Sequence, residues 1–90
     1  PAIDLAVVAA LVSSYNDIAV SSKIAFAAEV GLSGEVRAVN RVDQRISEAD
    51  KLGFDKIFIS KFNPKIDSKK YHLEIVAISK VQQLVAELFG

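Results

Sequence analysis

Apolar and polar residues change their spacing several times along the chain, and each change marks an element. From Ile3 to Tyr15, Ala6, Ala9, Ala10 and Leu11 favour helix, and polar Ser13, Ser14, Asn16 and Asp17 close the run. Apolar side chains fall on nearly every face of that helix, so burial is expected on both sides. Val7, Val8 and Val12 keep a buried strand open as the alternative. Lys23–Val30 then reads as a strand, with Ile24, Phe26, Ala28 and Val30 on one face. Ala25, Ala27 and Glu29 lie on the other, where small side chains leave room for a close neighbour. Gly31-Leu32-Ser33-Gly34 can reverse the chain, because glycine takes positive φ without steric cost. Glu35–Val39 pairs back as the second hairpin strand.

Asn40 is placed to cap the next helix, with Asp43 near the positive end of its dipole. Val42, Ile46 and Ala49 form its buried stripe, Arg45, Glu48 and Lys51 face outward, and Gly53 stops it. Lys56–Ser60 is a short buried strand built on Ile57, Phe58 and Ile59. A helix between two strands predicts a right-handed β-α-β crossover. Lys61–His72 is a long loop broken by Asn63-Pro64, and Leu73–Ile78 is a further strand. Ser79 with Gln82 predicts a capping box opening a last helix, whose apolar positions are Val81, Leu84, Val85 and Leu88. There is no internal repeat and no low-complexity segment.

Ninety residues set the scale at one small domain, residues 1–90. Its residues are 51% hydrophobic, and the mean hydropathy is +0.30. That is rich for a small domain and predicts surface meant for a partner or for further chain. A chain that opens on Pro1 and holds no Met reads as a piece of something longer. Eleven basic and eleven acidic residues cancel, so the whole surface gives no electrostatic support for nucleic acid or anionic membrane. The absence of Cys excludes disulfides, Cys-liganded zinc and thiol catalysis, and fits a cytoplasmic protein. The apolar run Leu5–Val12 is far shorter than the ~20 residues that span a bilayer, and it lacks the charged start of a signal peptide.

Candidate chemistry is sparse. Gly31 and Gly34 sit in a hairpin rather than in a phosphate-cradling loop. A Ser-His-Asp triad depends on His72, the single histidine, which reads more simply as a solvated loop residue. One His and scattered carboxylates make a poor metal site. A Ser-Lys dyad needs a hydroxyl beside a lysine desolvated enough to act as base, and composition alone does not pair them. Lys61, Lys65, Lys69 and Lys70 concentrate positive charge in one loop, with Asp67 the only acid among them and Phe62, Tyr71 and His72 interleaved. Phosphate contact with aromatic stacking is the sharp reading, a solvated loop the plain one. Arg45 either meets DNA or a neighbouring subunit, or pairs along the helix with Glu48. Glu29 either pairs with Arg37 across the hairpin or marks a polar contact.

Two blocks carry a family resemblance. Lon proteases place their serine in a Pro-Ser-Ala-Gly motif opening an apolar helix and their lysine in a Gly-Gly-Leu-Lys-Glu-Lys segment after a Gly-Glu hairpin. On this chain Pro1 matches the motif's proline, and the serine position falls on Ala2. The motif's alanine and glycine fall on Ile3 and Asp4, the Gly-Gly pair on Asn40-Arg41 and the lysine on Asp43. A methyl group cannot attack a carbonyl, and Asp43 cannot serve as the amine base.

The chain more closely resembles the Lon-protease-like C-terminal domain of the bacterial RadA (Sms) DNA repair family. The likeness lies in Asp4–Ser14, in Glu29-Val30-Gly31-Leu32 with Gly34-Glu35, and in Arg45, Glu48-Ala49 and Leu52-Gly53-Phe54. It covers nearly the whole chain and is densest over Glu29–Phe54; Ala28 departs from the glycine usual before that glutamate. The resemblance implies an α+β fold of the ribosomal protein S5 domain 2-like type, with the N-terminal part of that domain absent. It implies a parent that is a ring-forming, ATP-driven DNA translocase. ATP, Mg and Zn are expected in other parts of that parent and no cofactor or metal here. The expected role is a non-catalytic scaffold and homo-oligomerisation domain. DNA contact is expected through Lys61, Lys65, Lys69, Lys70 and Arg45, and no membrane association is expected. The rival is a Lon-family ATP-dependent serine peptidase domain.

Overall fold

The computed structural model describes residues 2–90. Two small sheets share the chain. Strands β1 (Ile3–Asp4), β3 (Glu29–Val30) and β4 (Val36–Arg37) form an antiparallel sheet in the order β1-β3-β4. Strands β2 (Ile24–Ala27), β5 (Lys56–Ser60) and β6 (Glu74–Ile78) form a parallel sheet in the order β2-β5-β6. Helices α1 (Leu5–Asn16), α2 (Val42–Lys51) and α3 (Val81–Phe89) complete the fold.

The parallel sheet is buried on both faces, which is why β5 reads as an unbroken apolar run. Phe58 points to one side, where Leu5 and Ala9 of α1 and Leu84 of α3 meet it. Ile57 and Ile59 point to the other, against Val42, Ile46 and Ala49 of α2. Phe58 is fully buried and stacks on Phe26, with ring centroids 5.7 Å apart. Each such side chain contributes about 1.5–3 kcal/mol by leaving water.

The expected strand Lys23–Val30 is broken at Ala28. The Ala28 carbonyl accepts the Leu5 N–H at 2.9 Å and so serves the start of α1 instead of a strand neighbour. The period-two parity survives the break: Phe26, Ala28 and Val30 pack on the α1 side, Ala25 and Ala27 on the α2 side. The Ile3–Tyr15 helix starts later than expected, at Leu5, because Ile3–Asp4 pairs with Glu29–Val30. The Asp4 carboxylate caps α1 by accepting the Ala6 N–H at 2.8 Å. Burial on both sides of α1 is not found. Leu5 and Ala9 are buried, while Ile3, Val7, Leu11 and Tyr15 stand exposed at four-residue spacing.

In the hairpin, Gly34 has φ +80° and donates to the Gly31 carbonyl at 3.0 Å, closing the turn. The second strand is only Val36–Arg37; the Glu35 carbonyl accepts the Gly31 N–H at 2.9 Å inside the turn, and Glu35 forms an isolated bridge with Lys80. Asn40 does not cap α2. The cap position is Arg41, whose backbone is left-handed at φ 57° and whose carbonyl accepts the Arg45 N–H at 3.1 Å. Gly53 ends α2 as expected, at φ +86°, with its N–H on the Asp50 carbonyl and the Phe54 N–H on Ala49.

At α3 the capping glutamine is Gln83 rather than Gln82. The Ser79 carbonyl accepts the Val36 N–H at 2.9 Å, which holds Ser79 extended and delays the helix by one residue. Gln83 Oε1 then accepts the N–H groups of Ser79 and Lys80 and the Ser79 hydroxyl. Lys80 has no side-chain acceptor to return the bond. The Lys61–His72 loop joins parallel strands β5 and β6, so it must cross the sheet rather than turn back. It contains a short 3₁₀ turn at Ser68–Lys70, and its Ile66 and Tyr71 pack on the α2 side of the core.

Candidate nucleic-acid interface

The crossing loop and the N-terminal end of α2 together build the region of interest. Three features hold the loop in place. Ser60, the only buried polar side chain among the described residues, donates its hydroxyl to the Val36 carbonyl at 2.9 Å and accepts the Phe62 N–H at 3.1 Å. Asn63 donates its side-chain amide to the Val39 carbonyl at 3.1 Å, with its Oδ1 buried and unpartnered. At the far end Asp50 Oδ1 accepts the backbone N–H groups of His72 and Leu73, each at 3.1 Å.

Between the loop and α2 lies an open cleft of about 390 Å³, lined by Val39–Asp43 and Asn63–Ile66. It brings Arg41 and Lys65 together, with Asp43 as its one acid. A neighbouring cleft of about 250 Å³ carries Lys61 and Lys65, and a third of about 440 Å³ carries Lys65 and Lys69. Lys61, Lys65, Lys69 and Lys70 are all exposed. Lys70 and Arg45 line none of these clefts, and no ion pair joins Arg45 to Glu48. Arg41 was not among the expected contacts. The signal for it was that the Lon resemblance sets a glycine pair against Asn40-Arg41 at the foot of the helix.

The two positions that the resemblance matches to the Lon dyad fall on different segments. Pro1 lies outside the described residues. Ala2 is exposed ahead of β1, and Asp43 lines the 390 Å³ cleft, to which Ala2 does not contribute. No lysine among the described residues is buried. The most covered, Lys56, faces Glu74 at 3.7 Å and lies 5.9 Å from the Phe58 ring centre. The described residues hold no group of three or more carboxylates and histidine placed for a metal ion. The His72 side chain is fully exposed, with Nδ1 3.6 Å from Asp50 Oδ2.

Glu29 and Arg37 are register partners across the hairpin, yet they do not ion-pair. Arg37 turns to Glu35, at 2.8 Å from Nη2 and 3.2 Å from Nε. Gly31 makes this possible, because a Cβ there would overlap the Glu35 carboxylate. The Arg37 guanidinium, helped by backbone N–H bonds, holds the Glu35 carboxyl below its ordinary range.

The Lon protease (S16) C-terminal proteolytic domain matches residues 1–90. The chain belongs to the Lon protease C-terminal domain family. Within that family, this Lon domain is 40% identical over 90 residues to the DNA repair protein RadA of Streptococcus pneumoniae, covering the whole chain and 21% of that protein. It is 43% identical to RadA of Streptococcus pyogenes serotype M3 and 39% identical to RadA of Bacillus subtilis. In both, the match covers the whole chain and 20% of the relative. The chain thus spans about a fifth of the length of these relatives. No described helix is long and apolar enough to cross a membrane.

Proposed function

We propose that this Lon domain is a non-catalytic scaffold and oligomerisation domain of a RadA-type DNA repair protein in the cytoplasm, with an S5 domain 2-like architecture. It contacts DNA through its crossing loop. The exposed apolar stripe of α1 carries the scaffold reading. Val7 and Leu11 are about half exposed or more and Tyr15 is 90% exposed, with Ile3 of β1 just ahead of them at 53%. Covering such a stripe with a second copy of the chain is favourable, and leaving it in water is not. Four exposed lysines on the loop supply the phosphate contacts. Arg45 faces solvent on α2 and serves as an outer contact. Ala2 and Asp43 leave the peptidase reading without its dyad.

Sedimentation of Leu11→Asp against the parent sequence tests the scaffold role. The expected result is a shift toward monomer with the circular dichroism spectrum retained; an unchanged oligomer, or a monomeric parent sequence, refutes it. DNA titration across salt, with Lys61, Lys65, Lys69 and Lys70 changed to Ala, tests the DNA contact. Every phosphate that goes unneutralised should reduce the log–log salt slope by about 0.9 on duplex and about 0.7 on single strands. Unchanged affinity and slope refute the reading. Peptide-bond cleavage by the unaltered protein, abolished in a variant of one of its serines, establishes the peptidase rival instead.

A further inference from the structure

The loop presents one phenyl ring to solvent, besides the His72 imidazole at its far end. Phe62 is 69% exposed and belongs to neither core cluster, whereas Phe26, Phe58, Phe54 and Tyr71 all pack inward. Its backbone is nevertheless fixed. The Phe62 N–H donates to the buried Ser60 hydroxyl, the Lys61 N–H to the Ile78 carbonyl at 2.8 Å and the Asn63 N–H to the Ser60 carbonyl at 3.2 Å. A ring held mostly in solvent from a pinned backbone, outside both core clusters, differs from one that has merely failed to bury.

Cations lie close to Phe62 along the chain. Lys61 is its neighbour in sequence, and Lys65 lies within about 11 Å along even a fully extended chain. Lys65 shares the α2 cleft with Arg41. A partner suited to this surface has a flat apolar face and a negative backbone. Single-stranded nucleic acid offers both at every nucleotide. Duplex DNA offers only the backbone, because its base faces are covered by their neighbours in the stack.

We propose that Phe62 is a base-stacking platform for single-stranded DNA, with the adjacent phosphates held by Lys61, Lys65 and Arg41. This rests on the DNA-contact reading above and adds the form of the strand. The chain has no tryptophan, so Phe62→Trp installs a single indole at the proposed contact. The titrants are a thymidine oligonucleotide, an abasic deoxyribose-phosphate strand of equal length, and a blunt duplex. Quenching of the indole by the thymidine strand and not by the abasic one is expected. Phe62→Ala should weaken single-strand affinity about tenfold, the scale of one stacked base. It should leave the salt slope and the duplex affinity unchanged, since no cation is removed. Salt-dependent binding of the thymidine strand with an unquenched indole overturns the stacking proposal and leaves the phosphate contact standing. Failure of the unaltered chain to bind any strand at low salt overturns both. A change of oligomeric state on Phe62→Ala assigns the ring to a protein contact and also overturns the proposal.

Discussion

Ser60→Ala removes one oxygen from the interior and tests how the two sheets are tied together. Ser60 is 1% exposed, and its hydroxyl serves two groups on different segments, the Val36 carbonyl of the antiparallel sheet and the Phe62 N–H of the crossing loop. Alanine leaves both without this partner. A buried polar group stripped of its hydrogen bond costs about 1–3 kcal/mol. The Phe62 N–H belongs to an exposed residue and can regain water, so most of the penalty falls on the Val36 side. The net expectation is a destabilisation of about 1–2 kcal/mol, with little cavity contribution because the side chain is small. For a domain of this size that lowers Tm by roughly 5–15 °C. Urea unfolding followed by far-UV circular dichroism gives the free energy directly, and an unchanged m-value shows that the folded state has kept its extent. Faster amide hydrogen exchange at Phe62 should accompany the destabilisation. A change below about 0.5 kcal/mol with normal exchange at Phe62 would refute the claim that this hydroxyl ties sheet to loop, since ordinary surface substitutions fall within that range.

Asp50→Ala should free the C-terminal end of the loop, because one carboxylate oxygen takes both the His72 and Leu73 N–H groups. The expected cost is about 1–2 kcal/mol, with faster hydrogen exchange at residues 72 and 73, and protection as in the parent sequence would contradict it. Glu35 should titrate below the ordinary glutamate range, chiefly because of its bond to Arg37. A carboxylate with a lowered folded pKa adds stability above its unfolded pKa, and that contribution is lost as pH falls through the folded value. Carbon-detected NMR of the Glu35 carboxyl should show the lowered midpoint, and Arg37→Ala should move it back up; no movement on that substitution would remove Arg37 as the cause.

The sequence was most legible where one pattern dominated. Ile57, Phe58 and Ile59 marked β5 with its observed bounds, and Val42, Ile46 and Ala49 marked the buried face of α2. The errors arose where a distant segment decided the local structure. Nothing in Lys23–Val30 announces that the Ala28 carbonyl will be used by Leu5, or that Val36 will hold Ser79 extended and move a helix start by one residue. Glu29 and Arg37 were correctly set opposite each other, but the room beside Gly31 gave Arg37 a nearer partner in Glu35. Of the candidate interface, the loop lysines could be read as a charge cluster. The place of Arg41 in the same cleft as Lys65 could not, because it depends on how the loop crosses the sheet.

Arg41 also bears on how far the mouth of the cleft can vary without a change of fold. The backbone at Arg41 follows the left-handed path that glycine favours, at φ 57°. An arginine in that conformation is disfavoured by about 1–2 kcal/mol. The path therefore persists because its surroundings impose it: the Asn63 amide grips Val39 on one side and the first turn of α2 begins on the other. Side chains at the mouth of the cleft can be exchanged over a backbone route that stays the same. A substitution at position 41 that changes charge or size at the mouth of the cleft is therefore expected to leave the route of the backbone unchanged.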